Sequence, residues 1–278
     1  MRNPIVFSLV LFVATACTNN SGQAPQNSGR SGNITVAGST ALLPLVKQAA
    51  QDYQAAHAAI RISVAGGGSR VGLTQAEQKG VDIGDSDIPP GATQQDLIDH
   101  KVAVVIFAVI VNPSTGVTAL SKSQIADIFS GKVANWKQVG GADHPITLVN
   151  RPKSSGTRAV FVATLMGGHQ PSASALTQDS SGTVVTTVAQ TPGATSYVST
   201  GYLKNARVTP LKIDGVSPDA ATVKSGRYAF WAYEHMVTAG TPPKPVADFI
   251  AFVAKDRALL HRVGFLATDE VRASGQTP

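Results

Sequence analysis

The chain has 278 residues, enough to bury a sizeable core either in one large α/β domain or in two lobes of moderate size. Charged residues are only 14% of it, and its net charge of +6 is spread without any Lys/Arg run, which argues against nucleic acid as a partner. Cys17 is the single cysteine, so no intramolecular disulfide can form.

Residues 1–17 follow the secretory pattern: Arg2, an apolar stretch from Ile5 to Val13, then the small residues Ala14, Thr15 and Ala16 before Cys17. That stretch is too short to remain as a spanning helix. The position of Cys17 resembles a bacterial lipobox, which implies a diacylglyceryl-anchored mature N-terminus with membrane lipid as a partner; plain secretion with cleavage nearby is the alternative. Residues 18–32, rich in Asn, Ser, Gly, Gln and Pro, read as a flexible tether.

Ile34–Ala37 reads as a strand ending in Gly38-Ser39-Thr40, and Leu42, Leu43, Val46, Ala49, Ala50 and Tyr53 then recur at helical spacing, with Pro44 tolerated in the first turn. A second strand, Arg61–Val64, runs through Gly66-Gly67-Gly68-Ser69 into a helix from Leu73 to Gln78. Val81–Gly84 is a third strand, closing on Asp85-Ser86-Asp87 and Pro89-Pro90. Val102–Val111 is nearly all apolar, as a strand buried on both faces should be. Ser121 caps a short helix to Phe129. The strand Ile146–Asn150 delivers Arg151 and Ser154-Ser155-Gly156-Thr157, and an apolar helical run follows. Thr183–Gln190 reads as a helix, Ala194–Val198 and Val208–Ile213 as strands, Tyr228–Tyr233 as an aromatic-rich strand. After Pro242-Pro243 comes an amphipathic helix bearing Val246, Phe249, Ile250 and Val253. Strands alternating with helices argue for an α/β sheet.

Three loops, Gly38–Leu42, Gly66–Ser69 and Ser154–Thr157, each fall after a strand and before a helix. Each joins Gly, which lets backbone approach a ligand closely, to hydroxyls at a helix start, where free N–H groups and the positive dipole end favour an anion. Any one of them could be an ordinary cap. Three together with the planar guanidinium of Arg151 point to an oxyanion cleft at the carboxyl edge of the sheet. Asp87 adds selectivity: an ionised carboxylate only accepts hydrogen bonds, so it favours an anion still carrying a proton, such as hydrogen phosphate, over sulfate. Asp85 is the neighbouring candidate, and either could point inward.

In these segments the chain resembles the phosphate-binding proteins of bacterial ABC-type phosphate importers (PstS-type), which have the two-lobe type II periplasmic-binding-protein fold. The resemblance rests on Ala37–Thr40, Gly66–Ser69, Val81–Asp87, Ile128–Lys132 with Asn135-Trp136, and Arg151–Thr157, in an order that spans nearly the whole mature chain. It implies phosphate contacts from Ser39, Thr40, the N–H of Ala41, Ser69, Asp87, Arg151, Ser155, Gly156 and Thr157. It further implies one lobe of residues 33–111 plus 226–278, a second of residues 112–225, two crossing strands as hinge, and permease subunits as partners of a monomer. No catalytic residue, metal or cofactor belongs to this expectation. The acidic Asp85 departs from the pattern, where a small residue is expected; Arg70 and Arg158 lie close enough to offset it, though as helix residues they also read as solvated.

A serine hydrolase is the enzymatic competitor. Gly67-Gly68-Ser69-Arg70-Val71 fails the Gly-x-Ser-x-Gly pattern at its last position, and the histidines at 57, 100, 144, 169, 235 and 261 form no metal-binding spacing. Glu234-His235 reads as a satisfied core or edge pair. The Gly-x-x-x-x-Gly-Lys-Ser/Thr phosphate loop is absent. A binding protein of the same fold for molybdate, sulfate or a phosphonate is the closer alternative.

Overall fold

The computed structural model describes residues 32–271; the expected export signal, Cys17 and all but the last residue of the tether lie outside the described residues. β1 (Asn33–Gly38), β2 (Arg61–Gly66) and β3 (Ile83–Ser86) run parallel, linked by α1 (Leu43–Ala56) and α2 (Ser69–Glu77). The long β4 (Leu97–Val111) follows. Next come β5 (Ala119–Leu120), α3 (Lys122–Phe129), β6 (Thr147–Asn150), α4 (Gly156–Leu165), β7 (Leu176–Thr177), α5 (Ser181–Gln190), β8 (Ala194–Ser199), β9 (Thr209–Pro210) and β10 (Lys212–Ile213). The chain finishes with α6 (Ala220–Lys224), β11 (Trp231–Ala239), α7 (Lys244–Lys255), α8 (Arg257–Arg262) and β12 (Phe265–Leu266).

The main sheet has the order β2-β1-β3-β11-β4-β8-β6-β7, with β9 and β12 also paired to β4. β4 holds its two halves together. Residues Leu97–Ile106 pair antiparallel with β11, and Phe107–Val111 pair antiparallel with β8. Helices α7 and α5 pack on this strand, so Val102–Val111 is buried throughout, which is why the run reads as continuous rather than alternating. The apolar stripe of α7, Val246, Phe249, Ile250 and Val253, is buried as its spacing requires.

Several boundaries differ from the sequence expectation, each for a local reason. β4 begins at Leu97 and not Val102, because the half-polar stretch before Val102 is an open-faced partner for β11. β3 begins at Ile83, since Asp82 is drawn off to clamp Thr35: its carboxylate accepts from the Thr35 N–H (2.8 Å) and hydroxyl (2.7 Å). The aromatic run enters its strand only at Trp231. Before that point the Phe230 carbonyl accepts from the Phe107 N–H (3.0 Å) and the Tyr228 hydroxyl donates to the Phe107 carbonyl (2.8 Å), so this segment returns beside β4. The expected strand Val208–Ile213 is split into β9 and β10, in different sheets. The helix from Leu73 begins earlier, at Ser69, and α6 and α8 are too short to give a periodic signal.

Candidate functional site

The carboxyl ends of β1, β3 and β6 each release a loop toward one point, and α1, α2, α4 and α5 all begin around it. Gly38 makes the first loop possible. It has φ +144°, and a Cβ on it would lie 2.8 Å from the Asp85 backbone nitrogen, so only glycine lets β1 and β3 close this tightly. Ser39, Thr40, Ser69, Asp87, Arg151, Ser155 and Thr157 are all buried beside one another.

Asp87 is an acceptor centre. Ser39 Oγ donates to its Oδ1, Thr157 Oγ1 donates to its Oδ2 (2.6 Å), and its own N–H donates to Ser69 Oγ (2.9 Å). Arg151 is a donor centre across from it. Its Nη2 donates to Thr40 Oγ1 (3.0 Å) and to the Asp179 carbonyl (3.0 Å), and its Nη1 to Ser181 Oγ (3.3 Å). Thr40 Oγ1 and Ser181 Oγ lie 3.1 Å apart, and the Tyr202 hydroxyl donates to the Thr40 carbonyl (2.6 Å). Loops that are far apart in sequence are thus held face to face. Gly156 is a close approach between these loops: a Cβ there would stand 2.8 Å from Ser69 Cβ and 2.9 Å from Asp87 Cβ.

Arg151 is fixed from behind. Asn150 Oδ1 accepts both the Arg151 N–H (2.8 Å) and the hydroxyl of Tyr197, whose ring stacks on Phe161 at 4.1 Å. Burial pulls the guanidinium pKa down and Asp87 pushes it back up, yet an arginine this basic stays charged. Burial raises the Tyr202 phenol to about 12, with Arg151 opposing, so it remains a donor. Asp85 is fully buried beside Asp87, and neither of its side-chain oxygens has a hydrogen-bond partner among the described residues. Burial first, then the Asp87 charge, push its carboxyl well above the usual range. Its carbonyl, by contrast, accepts the Ser39 N–H (2.8 Å), so its backbone role is to hold the first loop.

Two expected contributors are engaged within the protein. The Ala41 N–H donates to Ser39 Oγ (3.0 Å), and Ser155 Oγ caps α4 by accepting the Arg158 N–H (3.2 Å). Arg158 is not merely solvated; its Nη1 donates to the Arg151 carbonyl (2.7 Å). Arg70 bridges the loops instead, through its N–H to the Ser154 carbonyl (3.1 Å) and its Nε to the Lys153 carbonyl (3.2 Å).

The profile of the PBP superfamily domain matches residues 23–257. Phosphate-binding protein PstS of Bacillus subtilis is 38% identical over 98% of this chain and 97% of its own length. This chain belongs to the PstS-type phosphate-binding proteins. The PstS of Borreliella burgdorferi is 24% identical over 84% of the chain and 89% of its own. Among solved structures, an ABC-type phosphate transport receptor from Vibrio cholerae matches with a TM-score of 0.68 at 26% identity, covering 84% of this chain and 99% of that one. A Clostridium perfringens protein solved with bound phosphate matches with a TM-score of 0.81 at 24% identity, covering 85% and 99%. This PstS-type chain therefore has the two-lobe type II periplasmic-binding-protein fold.

Sequence reasoning missed three groups at this PstS-type site. Ser181 had a signal: Ser180-Ser181-Gly182-Thr183 repeats the Ser-Ser-Gly-Thr string of residues 154–157, again at a helix start. Tyr202 had none, since it sits on a single turn after β8 and reaches the site only through the fold. Glu234, read as a satisfied core or edge residue, is fully buried with neither carboxyl oxygen partnered among the described residues, whereas His235 does pair with Asp99 (2.7 Å). Among the described residues no group of His, Cys, Asp and Glu is placed to hold a metal ion, and no helix is long and apolar enough to cross a membrane.

Proposed function

We propose that this protein captures inorganic phosphate outside the cytoplasm and delivers it to the membrane subunits of an ABC-type phosphate importer, as a binding protein and not as an enzyme. The observation that carries this reading is the opposition of a buried arginine, 1% exposed, to a buried carboxylate, 2% exposed, on loops that meet. Arg151 attracts any oxyanion, and its Nε, which has no partner among the described residues, is a further donor for a ligand oxygen. The hydroxyls of Thr40, Ser69 and Ser155 and the N–H groups of Gly156 and Thr157 supply neutral donors, while Ser39 and Thr157 direct their hydroxyl protons to Asp87 and the Ala41 N–H goes to Ser39 Oγ, so these three shape the pocket from behind. Asp87 accepts the proton of hydrogen phosphate and repels sulfate, which has no proton to offer.

Closure of two lobes on the anion is part of this reading. The expected lobe boundary at residue 111 moves back to where β4 exchanges β11 for β8, so Phe107–Val111 go with residues 112–225, residues 33–106 go with the chain that follows 226–230, and these two crossings serve as the hinge. The bonds from Thr40 to Arg151, from Tyr202 to Thr40 and from Thr157 to Asp87 then latch the lobes around the anion. The protein works as a monomer tethered through a lipid-bearing Cys17. Names carried by relatives such as the Bacillus subtilis PstS support phosphate as the ligand. Calorimetric titration tests it: heat with phosphate and none with sulfate is expected, and equal binding of the two, or no phosphate binding, overturns it.

A further inference from the structure

Among the described residues, two carboxyl groups are buried with no hydrogen-bond partner, those of Asp85 and Glu234. In the antiparallel pair of β3 and β11 the last registered pair is Ser86 with His235, and Asp87 and Glu234 are the residues next to it on the two chains, at the point where β11 shifts its register against β4. Glu234 is fully buried, neither of its oxygens finds a donor among the described residues, and the charges that act on it are those of Asp87 and Asp85. Two carboxyl groups side by side form no hydrogen bond while both are ionised and form one as soon as either carries a proton.

We propose that Glu234 is a positioning residue for anion selection, holding a proton in the folded protein and donating it to Asp87. An ionised carboxylate has about four acceptor positions. Ser39 and Thr157 fill two, Glu234 fills a third, and the fourth is left for the proton of the ligand. The inference rests on Asp87 being the ligand acceptor, and it explains how this chain holds three acids so close to an anion site without a net repulsive charge.

Among the described residues no cation is paired with Glu234. The charges of Asp85 on β3 and of Asp87 just past its end act on Glu234, and Tyr202, on the turn after β8, lies within its electrostatic reach. Burial, reinforced by Asp87 and Asp85, raises the Glu234 carboxyl well above the usual range. Charged groups on the neighbouring elements are occupied elsewhere. His235 pairs with Asp99 (2.7 Å), His100 with Thr238 (3.2 Å), and Lys101 sits 4.7 Å over the Tyr233 ring. Arg70 and Glu77 on α2 are exposed.

The test combines infrared spectroscopy with phosphate titration of the full chain. At neutral pH the wild type should show the carbonyl band of a protonated carboxyl group, reduced in Glu234→Gln and abolished when Asp85→Asn is added. Glu234→Gln keeps an N–H donor for Asp87 and should hold phosphate affinity within about threefold. Glu234→Leu removes the donor and should lose about tenfold, the weight of one hydrogen bond to a charged group. No Glu234-dependent band, or equal affinities for the Gln and Leu variants, overturns the proposal. Should the Leu variant fail to fold, the band alone decides, and wild type that binds no phosphate refutes the reading of the site while the band still reports the proton of Glu234.

Discussion

Replacing Gly156 by alanine should weaken phosphate binding without weakening the free protein. The added methyl would stand 2.8 Å from Ser69 Cβ and 2.9 Å from Asp87 Cβ, and it would also meet Ser69 Oγ. Carbon atoms pack at about 3.5 Å or more, so the two sides must part by roughly 0.7 Å. Overpacking of this kind costs about 1–3 kcal/mol. In the proposed lobe division Ser69 and Asp87 belong to the lobe opposite Gly156, so the penalty should fall on closure, while alanine at the start of α4 is a better helix former than glycine. At about 1.4 kcal/mol per factor of ten, phosphate affinity should fall about 5- to 150-fold by calorimetry. Thermal melting without phosphate should be unchanged or slightly higher. Gly91→Ala, whose Cβ would meet nothing nearer than 3.8 Å, serves as control. Undiminished phosphate affinity, or a matching fall in the melting temperature of the free protein, would refute the assignment of this contact to closure.

Three further outcomes are expected. Tyr202→Phe removes the donor to the Thr40 carbonyl (2.6 Å) and should weaken phosphate about two- to tenfold, the range of one net hydrogen bond, chiefly through faster release in stopped-flow measurements. Arg151→Lys keeps the charge but loses the fork that reaches Thr40, Ser181 and Asp179 together, and calorimetry should show a loss of tenfold or more; parity with wild type would mean charge alone suffices. For Asp85 the sign follows from its raised pKa: the folded protein keeps a proton that the unfolded chain gives up, so its stabilisation is complete below the ordinary carboxylate range and is lost as pH rises. Asp85→Asn should therefore flatten the decline in urea stability between pH 5 and 8, and an unaltered slope would show that Asp85 is ionised.

Much of this site could be read from the chain because its parts are local. Ser39-Thr40, Ser69 and Ser155–Thr157 each announce themselves as hydroxyls beside glycine at a helix start, and helix termini impose that pattern whatever the tertiary setting. The choice between Asp85 and Asp87 was not legible. Both are buried on one short stretch, and only the arrival of Ser39 and Thr157 from elsewhere distinguishes the hydrogen-bonded carboxylate from the unpartnered one. Tyr202 and Glu234 were hidden for the same reason, because strand pairing and a turn from another part of the chain bring them in. Where strands were misplaced, as at Tyr228–Phe230, aromatic residues favoured a strand that the return beside β4 displaced by three residues.

The claim that Asp87 selects among oxyanions is tested most directly by titrating wild type, Asp87→Asn and Asp85→Asn with phosphate and sulfate side by side. The account predicts that Asp87→Asn narrows the phosphate-over-sulfate preference, by exchanging an obligate acceptor for a group that can also donate, while Asp85→Asn leaves it in place. A preference that survives Asp87→Asn and narrows in Asp85→Asn would contradict it.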